Sequence, residues 1–189
     1  VIAGHLSPLA NAVTGRLTPE EAALAEETRG LNLRDIVAAG IVAQVTATHA
    51  TAPLEANLRL LARARELNPE SYLVHFNTGK LLLLAGRAAD AEGFLAKAVE
   101  LRPDDVPSLR DLGMVYVVTG QPQRAVPPLQ RAVRLAPDEF GVRNYLGSAL
   151  AMTGDPAAAI PHFEHALRLR PDDAAVRQNL QRARGELRR

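Results

Sequence analysis

The chain has no cysteine and no tryptophan, and aromatic residues make up only 4% of it. Without cysteine there are no disulfide staples and no thiolate metal sites, and the redox compartment stays open. With so few rings, a core drawn from 47% hydrophobic residues must be filled by small aliphatic side chains. Ala and Leu dominate, as suits helices that approach closely, so an all-α fold is expected. Lysine is scarce too: all but two of the 22 basic residues are arginine, and the formal net charge is +1. That balance carries no polyanion signature and argues against nucleic-acid binding, which also needs aromatic residues to stack on bases. Long hydrophobic runs are missing, since the longest weakly polar stretch, Ile36 to Ala47, is too short to cross a bilayer. Membrane association is not indicated, because neither a basic amphipathic helix nor a lipidation cysteine is present. No intact signal peptide is legible and the first residue is Val1 rather than Met. The cytoplasm is therefore favoured, with the periplasm as the alternative if the chain is a processed or excised piece.

What the chain does have is repetition. Pro69, Pro103, Pro137 and Pro171 stand 34 residues apart, and Gly79, Gly113 and Gly147 keep the same interval. So do Gly86, Gly120 and Gly154, and Ala98, Ala132 and Ala166. Repetition at this interval marks a stacked-repeat architecture. From Tyr72 to Asp105 an apolar-periodic stretch runs to Leu84, Gly86 interrupts it, and a second runs from Ala88 to Leu101 before Pro103 stops it. Glycine at that point can end a helix in the left-handed region, and Pro122 and Pro156 suit the first turn of the next helix, with Asp155 as its N-cap. Acids follow each closing proline (Glu70, Asp104 and Asp105, Asp138 and Glu139, Asp172 and Asp173), where they can cap the next helix. Counting each unit from 1, small residues fall at positions 8, 20 and 27, and larger ones at positions 24 (Leu95, Leu129, Phe163) and 30. That alternation describes a self-packing helix pair.

These residues resemble the tetratricopeptide repeat (TPR) family, whose units are 34-residue helix pairs. The resemblance covers Tyr72 to Asp173 as three units, 72–105, 106–139 and 140–173. It departs at position 4, where the family favours Trp and this chain has His75, Leu109 and Arg143, and at position 7, where Thr78 replaces Leu. It implies a right-handed superhelical solenoid of antiparallel helix pairs with a concave groove. Upstream, residues 31–71 read as a degenerate helix pair, Leu31 to Ala50 and Leu54 to Leu67. Residues 1–30 read as an N-terminal arm with a short helix near 19–28, started by Thr18-Pro19-Glu20-Glu21. Downstream, residues 174–189 read as a solvating cap helix with Val176, Leu180 and Leu187 inward. Position 22, inside the second helix, is Gly93, then Pro127 followed by Pro128, then Pro161. A bend or a late start is expected there.

If positions 4, 8 and 11 of each first helix face its partner, a second stripe at 2, 5, 6, 9, 12 and 13 points elsewhere. In TPR arrays that stripe lines the groove. Here it supplies the candidate contacts Leu73, Phe76, Asn77, Lys80 and Leu84, then Arg110, Asp111, Met114 and Val117, then Asn144, Tyr145, Ser148 and Met152. Leu83, Pro107, Val118, Gly141 and Ala151 complete it. Apolar anchors among hydrogen-bonding groups suit a peptide segment or a partner helix. The TPR clamp for a C-terminal carboxylate needs Lys, Asn and Arg where this chain has Val42, Thr46, Asn77, Pro107 and Asp111 in one register, and Phe76, Lys80, Asp111, Gly141 and Tyr145 in the other. Capture of that type is not expected.

The functional expectation is a protein-interaction scaffold that binds through this groove. The alternative is a regulatory or substrate-docking segment of a larger enzyme. No catalytic residue, metal or cofactor is assigned. His162 and His165 have a ligand-like spacing, but no third ligand accompanies them, and no phosphate loop or nucleophile elbow occurs. Self-association through the end units or the Arg-rich last helix stays open.

Overall fold

The computed structural model describes residues 33–48 and 51–188. Among these residues there are nine helices and no strand: α1 (Leu33–Thr48), α2 (Leu54–Leu67), α3 (Tyr72–Leu84), α4 (Ala88–Leu101), α5 (Val106–Val118), α6 (Pro122–Leu135), α7 (Phe140–Met152), α8 (Pro156–Leu169) and α9 (Ala174–Glu186). The arm over 1–30, with its expected helix near 19–28, lies outside the described residues. The chain divides into two compact units, Val1–Ala85 and Gly86–Arg189.

In the first unit, α1 presents Val37, Ala38, Ile41, Val42 and Val45 at helical spacing to Leu61 and Ala64 of α2 and to Val74 and Leu81 of α3. The link between α2 and α3 is tied by Asn68, whose amide Nδ2 donates to the Asp35 carboxylate and whose Oδ1 accepts from the Glu70 N–H at 3.1 Å. His75 is buried with its Nε2 2.7 Å from the Pro69 carbonyl oxygen, so it packs the helix end.

In the second unit every second helix buries the same three positions. Ala91, Leu95 and Ala98, then Ala125, Leu129 and Ala132, then Ala159, Phe163 and Ala166 are all sealed from solvent. The small residue at position 8 is explained by the large one at position 24. A Cβ on Gly113 would stand 2.4 Å from Leu129 Cγ, and one on Gly147 would stand 2.8 Å from the Phe163 ring, so only glycine lets these helices close on each other. The first helices also bury position 3 (Val74, Ser108, Val142, Val176), which the sequence pattern does not single out.

The helix ends are built as the sequence requires. Gly86, Gly120 and Gly154 have φ of 74°, 73° and 86°, a region closed to most side chains. Asp105, Asp155 and Asp173 accept from the N–H groups of Ser108, Ala158 and Val176, each at 2.9 Å, and Glu139 accepts from Val142 N. Each such cap is worth about 1 kcal/mol. Ser71, which precedes α3, makes no side-chain cap.

Two expectations need correcting. The prolines at position 22 do not delay their helices: α6 runs from Pro122 to Leu135 with Pro127 and Pro128 inside it, and α8 runs from Pro156 to Leu169 with Pro161 inside it. Their missing N–H groups would have bonded the carbonyls of Gln123, Arg124 and Ala157. All three residues are exposed, on the side of the helix where solvent can reach freed oxygens. Leu187 is 53% exposed rather than inward, because α9 ends at Glu186 before its apolar face comes round again. Ala183, 1% exposed, takes the inward place instead.

Polar groups join successive repeats. Arg131 pairs with Asp104 at 2.8 Å and His165 Nε2 lies 2.8 Å from Asp138 Oδ1, in each case position 26 reaching position 33 of the preceding stretch. Arg143 and Arg177, at position 4, donate to the carbonyls of Pro137 and Pro171 at 2.7 and 2.8 Å.

Candidate functional site

In the first unit the stripe on α3 is partly exposed. Phe76 stacks on Tyr72 with ring centroids 5.7 Å apart, and Lys80 Nζ lies 5.9 Å from the Phe76 centroid. Asn77 Nδ2 is used by the Leu73 carbonyl at 2.8 Å. A small cavity of about 40 Å³ opens among Thr46, Asn77, Lys80, Leu81 and Leu84. Leu73 and Leu84 stand out into solvent.

In the second unit the stripe runs along α5 and α7. Arg110 is its charged centre: its guanidinium meets Asp111 at 2.8 Å and Glu139 at 3.2 Å. Burial opposes the charge on Arg110, but the two carboxylates outweigh it and raise its pKa above the ordinary arginine value. Gly141 makes room for this arrangement, since a Cβ there would stand 3.1 Å from Arg110 Cδ. Asp111, expected as a groove contact, is only 6% exposed, because Arg110 folds over it. Tyr145 is half-buried beside this cluster. Burial raises the pKa of its hydroxyl, Arg110 lowers it, and Asp111 and Glu139 raise it again, leaving it above the usual phenol value.

Further along α7, Ser148 Oγ donates to the Asn144 carbonyl at 3.0 Å, whereas Asn144 Oδ1 is buried without a hydrogen-bond partner. A cavity of about 200 Å³ opens one helical turn on, lined by Val117, Ser148, Ala151, Met152 and Phe163 on one side and by Asn179, Arg182, Ala183 and Glu186 of α9 on the other. The sequence reading includes Val117, Ser148 and Met152 but omits the α9 residues. Carrying the same 34-residue phase one helix further, from Ala174, puts Asn179, Arg182 and Glu186 at positions 6, 9 and 13, so the signal was there.

His162 and His165 do not form a bare pair. His162 Nδ1 is 3.2 Å from Arg143 Nη1, and burial, then Arg143, then His165 lower its pKa below 6.5. No group of three ligand-type side chains converges among the described residues. No helix among them is long and apolar enough to cross a membrane.

Antiparallel helix pairs closed by left-handed glycines, capped by acids and repeating every 34 residues define a helical-repeat protein of the solenoid class. The tetratricopeptide repeat family model matches residues 55–106 and 110–174, and the chain belongs to that family. Solved structures similar to it include the following two. One is of YrrB, described as a TPR protein with an unusual peptide-binding site, at 22% identity and a TM-score of 0.71 over 87% of this chain and 81% of that one. The other is of MamA, at 19% identity and a TM-score of 0.72 over 82% of this chain and 84% of that one. At these identities the likeness concerns the fold. No curated protein sequence matches the chain.

Proposed function

We propose that the chain is a protein-interaction scaffold that holds a peptide segment of its partner on the repeats at 106–139 and 140–173. The observation that carries this reading is the uneven use of polar groups in the second unit. Away from the stripe they are spent inside the protein: Arg124 on Glu92, Arg131 on Asp104, Arg184 on Glu164 and His165 on Asp138. On the stripe, Asn144 Oδ1 is buried without a hydrogen-bond partner, one helical turn before Ser148, which lines an open cavity. Such an atom costs about 1–3 kcal/mol until a donor reaches it, and a bound segment can supply one. The peptide-binding site named for YrrB, which shares the fold, agrees with this reading. The stripe on α3, with Phe76, Asn77, Lys80 and Leu84, offers a further contact surface, and the repeat at 72–105 belongs to the same array. The reading is one of binding, and no reaction is assigned.

Affinity capture with the intact chain tests it. A variant carrying Met114→Ala and Tyr145→Ala should keep its helical circular dichroism and lose the proteins that the wild type retains. Equal capture by both would refute binding through this stripe.

A further inference from the structure

Each second helix among the described residues is tied to the next first helix by a link of four residues: 68–71, 102–105, 136–139 and 170–173. Each seals the residues four, seven and eleven places before its link, as with Ala64, Leu61 and Asn57 of α2 and Ala166, Phe163 and Ala159 of α8. Each first helix that follows a link buries the seventh residue after it: Thr78, Leu112, Leu146 and Leu180. Leu180 packs in one cluster with the sealed face of α8. On α1 this place is open. The helix begins at Leu33, and its seventh residue, Ala39, is exposed, in one row with Ile36 and Ala43. The row carries no charge, and Ile36 is 47% exposed. The opposite side of α1 is already packed on α2 and α3.

The chain that leads into α1 carries a matching face. A helix over 19–28, as its start signal requires, leaves 29–32 as the link to α1, four residues again. The places four, seven and eleven before that link hold Ala25, Ala22 and Thr18, all small and uncharged, whereas Glu20, Glu21, Glu26 and Glu27 fall elsewhere. So short a link turns a helix back antiparallel on its neighbour, and residues equally distant from the link then face each other. Ala25 meets Ile36, Ala22 meets Ala39, and Thr18 meets Ala43. Small residues on both sides let the two helices come close. A second copy fits this face less well. The 16 residues of α1 offer a strip about 24 Å long and about 10 Å wide, well short of the ~800 Å² per partner of a stable dimer. A segment of the same chain is held in place by its own link and needs no such area.

We propose that residues 18–28 form a helix that lies antiparallel across Ile36, Ala39 and Ala43 and closes the open face of α1, with its glutamates outward. The proposal is independent of the peptide reading above.

Because the chain has no cysteine, an engineered pair reports this contact without background. In the full chain, Ala22→Cys with Ala39→Cys should close an intramolecular disulfide under mild oxidation at least about tenfold faster than Glu20→Cys with Ala39→Cys, whose first cysteine lies on the far side of the arm helix. Ala39→Arg should release the arm and speed its cleavage by a glutamate-specific protease at least about tenfold, with the helical circular dichroism of residues 33–188 retained. Every substitution falls on the arm or on an exposed place of α1, so the variants keep the described fold. Equal closure of the two cysteine pairs, or cleavage unchanged by Ala39→Arg, overturns the proposal. Disulfide-linked dimers of Ala39→Cys alone, forming as fast as the intramolecular bond, overturn it too and assign the face to a second copy.

Discussion

Two successive joints of the second unit occupy equivalent places in the repeat and are built differently. At the first, α5 lies between α4 and α6 with Leu109 at position 4. Leu109, Leu112 and Tyr116 floor an open cleft of about 430 Å³ walled by Val99, Pro127, Pro128 and Arg131. At the second, α7 lies between α6 and α8 with Arg143 at position 4, and its guanidinium reaches both the Pro137 carbonyl and His162. Position 4 is thus apolar at the first joint, where Arg124 and Arg131 supply the polar contacts of the cleft, and hydrogen-bonded at the second. Beneath both, the same contact recurs, glycine at position 8 against a large side chain at position 24. The inner packing thus sets the repeat, while the outer edge is free to vary in chemistry.

Removing the large partner should break the second joint most. Phe163→Ala is expected to cost about 3–5 kcal/mol, against about 2–5 for Leu129→Ala at the first, both measured by urea unfolding. Comparable m-values would show that the two joints melt as one cooperative body. Filling the small position comes next. Gly113→Ala should destabilise by about 1–3 kcal/mol despite the better helix propensity of alanine, and by more than Gly147→Ala, because the clash at Gly113 falls on the branch point of Leu129 rather than on a ring edge. If Gly113→Ala raised the melting temperature, the close approach of α5 and α6 would be wrong. Asp155→Ala removes one cap and should cost about 1 kcal/mol in the same assay.

The smallest effect separates the joints by pH. His162 has a folded pKa below 6.5, so the unfolded chain binds its proton more readily. Its contribution to stability is complete above the unfolded value and is lost as the pH falls through the lowered folded value. The melting temperature should therefore decline on mild acidification. His162→Gln, which keeps an acceptor for Arg143 without titrating, should flatten that decline, and Arg143→Leu should reduce it by removing the neighbouring positive charge. The difference between wild type and His162→Gln, rather than the raw curve, isolates His162.

Much of the architecture was legible because it depends on residues with few alternatives. A left-handed turn needs Gly86, Gly120 or Gly154, and a helix stop shows as Pro103 or Pro137. The stripe was read from period alone, which assigns a face and no ligand. What stayed hidden depends on partners. The burial of Asp111 follows from Arg110 folding over it, which no spacing rule conveys. The prolines of α6 and α8 look like breakers in one dimension, yet both helices run through them. The α9 residues that line the cavity were missed because the helix was read as a cap rather than as the first half of another unit.

The Arg131–Asp104 and His165–Asp138 contacts show that the repeat at 106–139 carries one half of a joint at its tail and the matching half in its second helix. Such a unit is self-complementary in sequence order: if residues 106–139 were copied in tandem, Asp138 of the first copy would meet Arg131 of the second. The array can therefore lengthen or shorten by whole units without leaving an unmatched charge at the splice, and its length becomes a quantity that recombination can change in one step.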